Sequence, residues 1–264
     1  MASSPAAPLA VVTGGNAGIG LAIADRLGAL GHRLLLVARD GARLEAAARD
    51  LSDRHGVVVD TRACDLSDAA ATEALAAEIA ALAPAVLVNN AGFGDYGPFA
   101  DLPPPSGAGM IATNVAALTR LTSAVLPSMR TRASGRVLNV ASTAAFAPLP
   151  LAAVYGASKA YVLSFSLALA EELAGSGVTV TALCPGPTPT GFAARAGMTR
   201  TELFRGAPST SAEEVAARGV AAMLAGKGMV VVGGANRLLA FATRFAPRAL
   251  AARATHRAMR ERLR

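Results

Sequence analysis

Tyr155 and Lys159 are two side chains whose types and spacing suit proton transfer. They stand four residues apart in a helix-like segment, so both lie on one helical face. An ammonium beside a phenol stabilises the phenolate and lowers the phenol pKa from about 10 toward neutral pH. We therefore predict that Tyr155 acts as proton donor and acceptor in an active site. The alternative interpretation is a chance pair on a helix surface.

Lysine usage along the chain favours a functional pair. Only two of the 25 basic residues are lysines, Lys159 and Lys227. A compact ammonium approaches a phenol or a hydroxyl in a way that a planar guanidinium does not. Ser142 ends a strand-like segment thirteen residues before Tyr155. Its hydroxyl is expected beside the phenol, and the alternative is an ordinary serine at a strand end.

A glycine-rich segment, Thr13–Gly20, follows the first strand-like run and opens a helix-like one. Its glycines permit a tight turn in which backbone N–H groups face a pyrophosphate at the helix N-terminus. This placement is typical of a dinucleotide site, and the alternative is a plain glycine-rich turn. Because no Lys-Ser or Lys-Thr follows Gly20, the segment does not match a P-loop.

Short apolar runs alternate with longer alanine-rich helical stretches along the chain. The predicted strands are 8–13, 33–38, 57–63, 85–89, 136–141, 178–184 and 229–232. The predicted helices are 18–30, 40–55, 68–82, 106–133, 153–175 and 211–226. This alternation indicates an α/β fold: one doubly wound, Rossmann-type parallel sheet of about seven strands flanked by helices. We predict a single domain over 1–235 and a helical tail over 236–264.

The motifs together resemble the short-chain dehydrogenase/reductase family. The resemblance covers roughly residues 8–235 and rests on the Gly14, Gly18, Gly20 spacing and on the Ser…Tyr-x-x-x-Lys pattern. It implies a hydride transfer between nicotinamide and a carbonyl or alcohol. Tyr155 would be the acid and base, Lys159 would hold the nicotinamide ribose, and Ser142 would orient the carbonyl. Asn114 matches the family's fourth catalytic member, which interrupts a helix and holds a water that relays protons to the lysine.

The resemblance also implies a set of cofactor-binding positions in the loops after the strands. In the family, Asp65 would contact the adenine, the segment at 89–92 would lie beside the adenosine ribose, and Thr188 and Thr190 would approach the carboxamide and phosphates. The predicted cofactor residues are Gly14, Asn16, Gly18, Ile19, Gly20, Arg39, Asp65, Leu66, Asn90, Ala91, Gly92, Tyr155, Lys159, Pro185, Gly186, Thr188 and Thr190.

The tip of the second strand favours NADP(H) over NAD(H). NAD enzymes commonly carry an acid at the position of Ala38, where it bonds the ribose hydroxyls and repels a 2′-phosphate. Arg39 can pair with that phosphate instead, and Arg43 could assist. The alternatives are that Arg39 is merely solvated, or that Asp40 neutralises it.

The substrate side is less specific in sequence. The stretches 93–99 and 146–154 are partly apolar, and an insert at about 187–210 matches the family's lid, which excludes water on closure. Phe192, Met198 and Phe204 in this insert either line an apolar pocket or only pack the lid. We expect an apolar ketone or aldehyde as substrate. The competing hypothesis is a non-catalytic nucleotide sensor or scaffold, but such proteins typically lose the Tyr, Lys or Ser retained here.

Composition excludes several other classes. There is no Trp and aromatics are 4%, which argues against a stacking surface for nucleic acid. The three histidines show no metal-ligand spacing, so we predict no metal site. No signal-like leader or bilayer-length apolar run is evident, and we expect a cytoplasmic protein with reduced Cys64 and Cys184.

The tail carries the chain's basic character. From residue 236 onward it has eight arginines and one acid, Glu261. Leu238, Phe241 and Phe245 share one helical face. The favoured interpretation is packing of this face on the domain or on a second subunit of a homodimer or homotetramer, with solvated arginines. Peripheral contact with an anionic membrane surface ranks second, and nucleic acid is a distant third.

Overall fold

The computed structural model describes residues 7–202 and 209–260, which form one parallel sheet flanked by helices. The strands are β1 Leu9–Thr13, β2 Arg33–Ala38, β3 Val59–Ala63, β4 Val86–Asn89, β5 Gly135–Val140, β6 Val178–Cys184 and β7 Met229–Val231. Their order in the sheet is β3-β2-β1-β4-β5-β6-β7, and every pair is parallel. The predicted doubly wound sheet is confirmed, and all seven predicted strands occur within two residues of their expected ends.

The helices pack on both faces of the sheet. They are α1 Gly18–Ala29, α2 Gly41–His55, α3 Ala69–Leu82, α4 Pro104–Ile111, α5 Leu118–Thr131, α6 Ala153–Glu172, α7 Gly191–Arg195, α8 Ala212–Leu224, α9 Gly234–Ala242 and α10 Arg248–Met259. Side-chain alternation along β1 divides the core: Val12 packs in a cluster with Ile23 of α1, and Val11 in a cluster with Leu121 of α5. Burying each such side chain stabilises the fold by about 1.5–3 kcal/mol.

Helix starts follow from local capping residues. Asp40 accepts a hydrogen bond from the Arg43 backbone N at 3.0 Å, and Asp68 accepts one from Ala70 N at 2.8 Å. Each such cap stabilises its helix by about 1 kcal/mol. Helix α1 differs, because its N-cap residue Ala17 has no side chain that can satisfy the first N–H groups. The N-terminus of α1 therefore keeps backbone donors available to a ligand.

The predicted helical segment over 106–133 is observed as one helical stretch over 104–131, and a π-helical turn interrupts it at Asn114, as the family resemblance implied. Helix α4 ends at Ile111, residues 112–117 form a π-helical turn, and α5 begins at Leu118. The wide turn contains Asn114, whose side chain bonds the backbone of Phe93 outside the helix. This tertiary contact was not encoded in the helical periodicity of the segment.

Two helical stretches have the length and mean hydropathy of membrane-spanning segments, 104–131 and 153–172. We expected no apolar segment of this length, and by length and composition these two helices contradict that expectation. Helix α5 contacts α3 and β5, and α6 contacts β5 and β6. Both are flanking helices of the sheet, and α6 carries Tyr155 and Lys159.

A chain of buried amides and hydroxyls crosses the sheet between β4 and α6. Asn89 Nδ2 donates to Thr122 Oγ1 at 3.0 Å and to Asn139 Oδ1 at 2.9 Å. Asn139 Nδ2 then donates to Ser166 Oγ at 2.9 Å. Asn89 and Asn139 are paired in the β4–β5 register, so this network joins two strands and their covering helices.

The tail forms two helices, α9 and α10, as expected. Helix α9 contacts β7 and the 3₁₀ turn Thr143–Phe146. Leu238, Phe241 and Phe245 do not pack on the domain, because all three are exposed, and their packing on a second subunit stays a prediction. The residues of α9 that approach the domain are Leu239, Ala240 and Thr243.

Candidate active site

A cavity of about 900 Å³ lies at the carboxyl ends of the strands. The predicted residues that line it are Gly14, Asn16, Gly18, Ile19, Arg39, Asp65, Leu66, Asn90, Ala91, Gly92, Ser142, Tyr155, Lys159, Pro185, Gly186, Thr188 and Thr190. Two predicted residues, Gly20 and Asn114, do not line it and lie directly behind its wall. The sequence motifs therefore converge on one cavity.

Tyr155, Ser142 and Lys159 meet at the middle of this cavity. Ser142 lies close enough to Tyr155 for its side chain to lower the pKa of the phenol. Ser142 caps the turn after β5, where its Oγ accepts from Ala144 N at 3.1 Å. Lys159 is 6% exposed, and its Nζ donates to the Val140 carbonyl at 2.7 Å. The phenol and ammonium share one face of α6, as their spacing predicts.

The expected lowering of the Tyr155 pKa is wrong for the protein without ligands. Burial raises the pKa of Tyr155 to about 12, although the hydrogen bond from Ser142 opposes this rise. Lys159 Nζ lies 5.8 Å from the centre of the Tyr155 ring and donates to a backbone carbonyl. Burial lowers the pKa of Lys159 to about 8. Desolvation thus outweighs attraction between the two groups.

Asn114 is a brace for the loop after β4. Its Oδ1 accepts from Phe93 N at 3.1 Å, and its Nδ2 donates to Phe93 O at 2.9 Å and to Ser158 Oγ at 3.1 Å. A Cβ on Gly92 would lie 2.9 Å from Asn114 Oδ1 and 3.6 Å from Lys159 Nζ. Asn114 therefore stands behind Lys159 and holds the backbone that passes it.

The glycine loop is fixed from behind by β4. Asn90 Nδ2 donates to Thr13 O at 2.9 Å and to Gly14 O at 3.2 Å, while Thr13 Oγ1 accepts from Asn90 N at 3.0 Å. Gly14 has a φ angle of +64°, a backbone conformation that residues other than glycine rarely adopt. A Cβ on Gly20 would lie 2.2 Å from Gly14 O. Gly20 thus supports the loop rather than facing the cavity.

The end of β2 presents Arg39 to the cavity. Asp40 is used as the cap of α2, so its carboxylate bonds the backbone of Arg43 rather than the Arg39 side chain. The carboxylate nearest Arg39 is Asp65, at 4.0 Å, and both side chains are exposed. Hydrogen bonds from Ser67 and, to a smaller degree, the positive charge of Arg39 lower the pKa of Asp65. The proposed neutralisation of Arg39 by Asp40 is therefore not what the structure shows.

The loop after β6 joins the glycine loop to the tail. Thr190 lies against Gly18, because a Cβ added to Gly18 would be 3.2 Å from Thr190 Cγ2. A Cβ on Gly186 would lie 2.2 Å from Nδ2 of Asn236 in α9. We call this part of the cavity the loop half: the segments after β1, β2, β3, β4 and β6.

The opposite side is apolar. Phe93, Phe146, Phe192 and Met198 line it, so the interpretation of the insert's aromatics as pocket lining applies to Phe192. The Phe192 ring lies 5.2 Å from that of Tyr155, centre to centre. Phe204 and the rest of 203–208 lie outside the described residues.

Sequence reasoning missed that the tail closes this side of the cavity. The lining residues from the tail are Leu239, Ala240, Thr243, Ala254, Thr255, Ala258 and Met259. Tyr96 OH donates to the Met259 carbonyl at 2.6 Å, and Thr255 Oγ1 donates to the Pro148 carbonyl at 2.6 Å. We call α7, α9 and α10 the helix half. The signal in the sequence was the row of small residues in α10 opposite its arginines.

Comparison with known proteins agrees with this geometry. The family model for short chain dehydrogenase matches residues 8–201. A protein of Streptomyces violaceoruber, named as ketoacyl reductase 1 of the granaticin polyketide synthase, is 40% identical over 194 residues, which are 72% of this chain and 71% of that one. A very-long-chain 3-oxoacyl-CoA reductase of Laccaria bicolor is 37% identical over 65% of this chain and 52% of its own length.

Solved structures show the same architecture. A short-chain dehydrogenase from Sphingobium yanoikuyae, in complex with NADPH, superposes with a TM-score of 0.79 at 33% identity. The alignment covers 90% of this chain and 93% of that one. On the matched family model, the relatives and the shared sheet, the chain belongs to the short-chain dehydrogenase family.

Proposed function

We propose that the protein is an NADP(H)-dependent oxidoreductase that interconverts an apolar carbonyl compound and its alcohol. The observation that carries the proposal is the meeting of Ser142, Tyr155 and Lys159 at the junction of the loop half and the helix half. A phenol close to a serine hydroxyl and to a buried ammonium suits proton transfer to a carbonyl oxygen.

The proposed proton step uses Tyr155 in its neutral form. The raised pKa of Tyr155 keeps the phenol protonated at neutral pH, as a proton donor for carbonyl reduction requires. The hydroxyls of Ser142 and Tyr155 would hold the substrate oxygen between them. Tyr155 then donates its proton to that oxygen as negative charge develops, and Lys159 stabilises the phenolate that remains. A bound nicotinamide supplies the hydride.

The loop half fits a dinucleotide. The uncapped N-terminus of α1 and the left-handed glycines at 14 and 18 provide a cradle for a pyrophosphate. Arg39, left free of Asp40, would pair with a 2′-phosphate. The NADPH complex of the Sphingobium relative supports the same choice.

Arg39→Asp tests the cofactor preference. We expect the KM for NADPH to rise about 10–100-fold, the loss of one charge-assisted hydrogen bond, while the KM for NADH falls. Arg49→Asp, an exposed position on α2 that does not line the cavity, is the matched control. An unchanged preference in Arg39→Asp would remove Arg39 from phosphate recognition.

The helix half supports an apolar substrate. The apolar side of the cavity combines Phe192 of α7 and the aliphatic residues of the tail with Phe93, Phe146 and Met198, which lie outside the helix half. The names of the ketoacyl and 3-oxoacyl reductase relatives suggest ketones on acyl chains as the first compounds to test. NADPH oxidation should therefore be measured with 3-oxoacyl thioesters, aliphatic and aromatic ketones, and sugar-derived ketones. The proposal predicts turnover with the apolar ketones, and no turnover with any carbonyl would contradict it.

We also propose that the protein acts in the cytoplasm as a homodimer or homotetramer assembled through α6. Helix α6 is apolar in composition, yet most of its residues are not buried in the single chain. Its exposed residues include Tyr161 and Leu167. An exposed apolar helix face of this kind is typical of subunit interfaces. Light scattering of Leu167→Glu against wild type tests the assembly, since a charge at the interface should produce monomers.

A further inference from the structure

The two tail helices have an exposed face that nothing else in the described chain covers. Leu238, Phe241 and Phe245 are 70%, 57% and 74% exposed, and Leu250 on α10 is 56% exposed. The Phe241 and Phe245 rings lie 5.3 Å apart, edge to face, so the apolar groups are contiguous. An exposed cluster of large apolar side chains marks an interaction surface.

Helical geometry separates this face from the cavity. At about 3.6 residues per turn, Leu238, Phe241 and Phe245 point away from Leu239, Ala240 and Thr243, which line the cavity. The same separation holds in α10. Its cavity side carries Ala254, Thr255, Ala258 and Met259, and its opposite side carries Leu250 and arginines. We call the exposed side the outer face: Arg237, Leu238, Phe241, Arg244, Phe245, Leu250, Arg253 and Arg257.

The outer face is also where the chain's positive charge is concentrated. Residues 1–235 hold 17 basic and 17 acidic side chains, so the net charge of +7 belongs entirely to the tail. Arg237, Arg244, Arg248, Arg253 and Arg257 are all exposed, and the sequence has no acid between residues 236 and 260. Each tail helix therefore exposes large apolar residues beside arginines: Leu238, Phe241 and Phe245 on α9, and Leu250 on α10.

We propose that the outer face binds the surface of an anionic phospholipid bilayer. Leu238, Phe241 and Phe245 enter the boundary between head groups and acyl chains, and the arginines contact lipid phosphates. A second copy of the chain is a poorer occupant, because a two-fold contact would bring the arginines of one copy against those of the other. A nucleic acid backbone would pair with the arginines but would leave Leu238 and Leu250 without an apolar partner.

Vesicle co-sedimentation of the full chain tests this inference without any carbonyl substrate, so its result is independent of the proposed reaction. The vesicles are phosphatidylcholine alone, and phosphatidylcholine with phosphatidylglycerol. We expect binding to the anionic vesicles only, and weaker binding as salt is raised. Replacing Leu238→Ser, Phe241→Ser and Phe245→Ser together should weaken the partition coefficient about 10-fold or more, since the apolar contribution is lost.

The matched control replaces three exposed leucines at the opposite end of the sheet: Leu30→Ser, Leu82→Ser and Leu224→Ser. These lie where α1, α3 and α8 end, and the control variant should bind anionic vesicles as wild type does. Thermal melts and NADPH binding confirm that both triple variants are folded. Light scattering and a mobility shift with duplex DNA complete the test. The inference is wrong if wild type ignores anionic vesicles, if both variants bind equally, if the outer-face variant only loses subunits, or if DNA binds in preference to vesicles.

Discussion

The loop half and the helix half of the cavity meet at Tyr155, but different contacts hold them. In the loop half, backbone atoms are bonded by buried side chains, such as Asn90 to Thr13 and Gly14, and Asn114 to Phe93. Glycines fill positions where a Cβ would meet the backbone. The helix half is closed by packing of apolar side chains and by hydrogen bonds that include those from Tyr96 and Thr255.

This difference indicates which half tolerates change. Backbone-fixed loops accept few residue types at each position, so the cofactor side is expected to respond to small substitutions with large effects. Packing among Ala, Leu and Met is satisfied by many combinations of similar volume, so the substrate side should adjust its shape at low cost.

Tyr155→Phe removes the hydroxyl at the junction of the two halves. We expect kcat to fall about 10²–10⁴-fold, the usual contribution of a proton donor, while the Kd for NADPH stays near that of wild type. Single-turnover kinetics and cofactor titration measure the two quantities. Phe keeps the ring contact with Phe192, so a folding defect is not expected. Near-normal turnover would show that another group supplies the proton.

Lys159→Met tests the charge buried behind the loop half. The pKa of Lys159 is lowered to about 8, whereas an unfolded lysine titrates near 10.4, so the unfolded chain binds more protons between these pH values. Wild-type stability therefore rises with pH across this window. The methionine variant has no ammonium to titrate, so its stability does not share this rise. We expect its unfolding free energy minus that of wild type to fall by about 3 kcal/mol between pH 8 and 10.5.

Urea denaturation at several pH values measures this difference, with Lys227→Met as control. Lys227 is the only other lysine and is exposed at the end of α8. The control and wild type should give parallel stability curves across the same range. Parallel curves for Lys159→Met as well would mean that Lys159 is not destabilised by burial.

Gly20→Ala tests the rigidity of the loop half. The added Cβ would lie 2.2 Å from Gly14 O and 2.3 Å from Asn90 Nδ2, so the loop must shift. We expect a loss of about 1–3 kcal/mol in unfolding free energy, together with weaker NADPH binding. Gly41→Ala is the matched control at the start of α2, where the nearest atom to a Cβ is 3.8 Å away. Equal behaviour of the two variants would contradict the close approach at Gly20.

Tyr96→Phe tests the compliance of the helix half. It removes the hydrogen bond to the Met259 carbonyl, and we expect KM for the carbonyl substrate to rise about 2–10-fold, with the Kd for NADPH unchanged. Tyr161→Phe also loses one phenol hydrogen bond, to Thr119, but lies on the exposed side of α6 and should leave KM unchanged. A larger effect on cofactor binding than on KM would show that the two halves are coupled.

The same contrast explains what the sequence could predict. The strands were found because residues such as Val11 and Val12 belong to continuous apolar runs, and the glycine loop because only glycine suits Gly14 and Gly18. The interruption of the helix at Asn114 was expected only from the family resemblance, because the π turn depends on a bond from Asn114 to Phe93 that helical periodicity does not show. The predicted lowering of the Tyr155 pKa was wrong. The four-residue spacing shows neither the burial of the phenol nor the bond from Lys159 to the Val140 carbonyl.

The helix half was missed for another reason. Ala254, Thr255 and Ala258 are common helix residues with no motif, and the sequence predicted that the tail packs on the domain or on a second subunit without indicating that it lines the cavity. These helices line the cavity because the chain leaves β7 beside it, and the position of β7 depends on the order of strands in the whole sheet.

The row of amides between Asn89 and Ser166 bears on the fidelity of folding. If β5 paired with β4 one residue out of step, Asn139 would turn to the other face of the sheet and lose its hydrogen bonds with both Asn89 and Ser166. An unsatisfied buried amide costs about 1–3 kcal/mol, so the misaligned sheet is disfavoured before any loop closes. The network therefore favours the correct register of β4 and β5, the two strands that end next to Asn90 and Ser142.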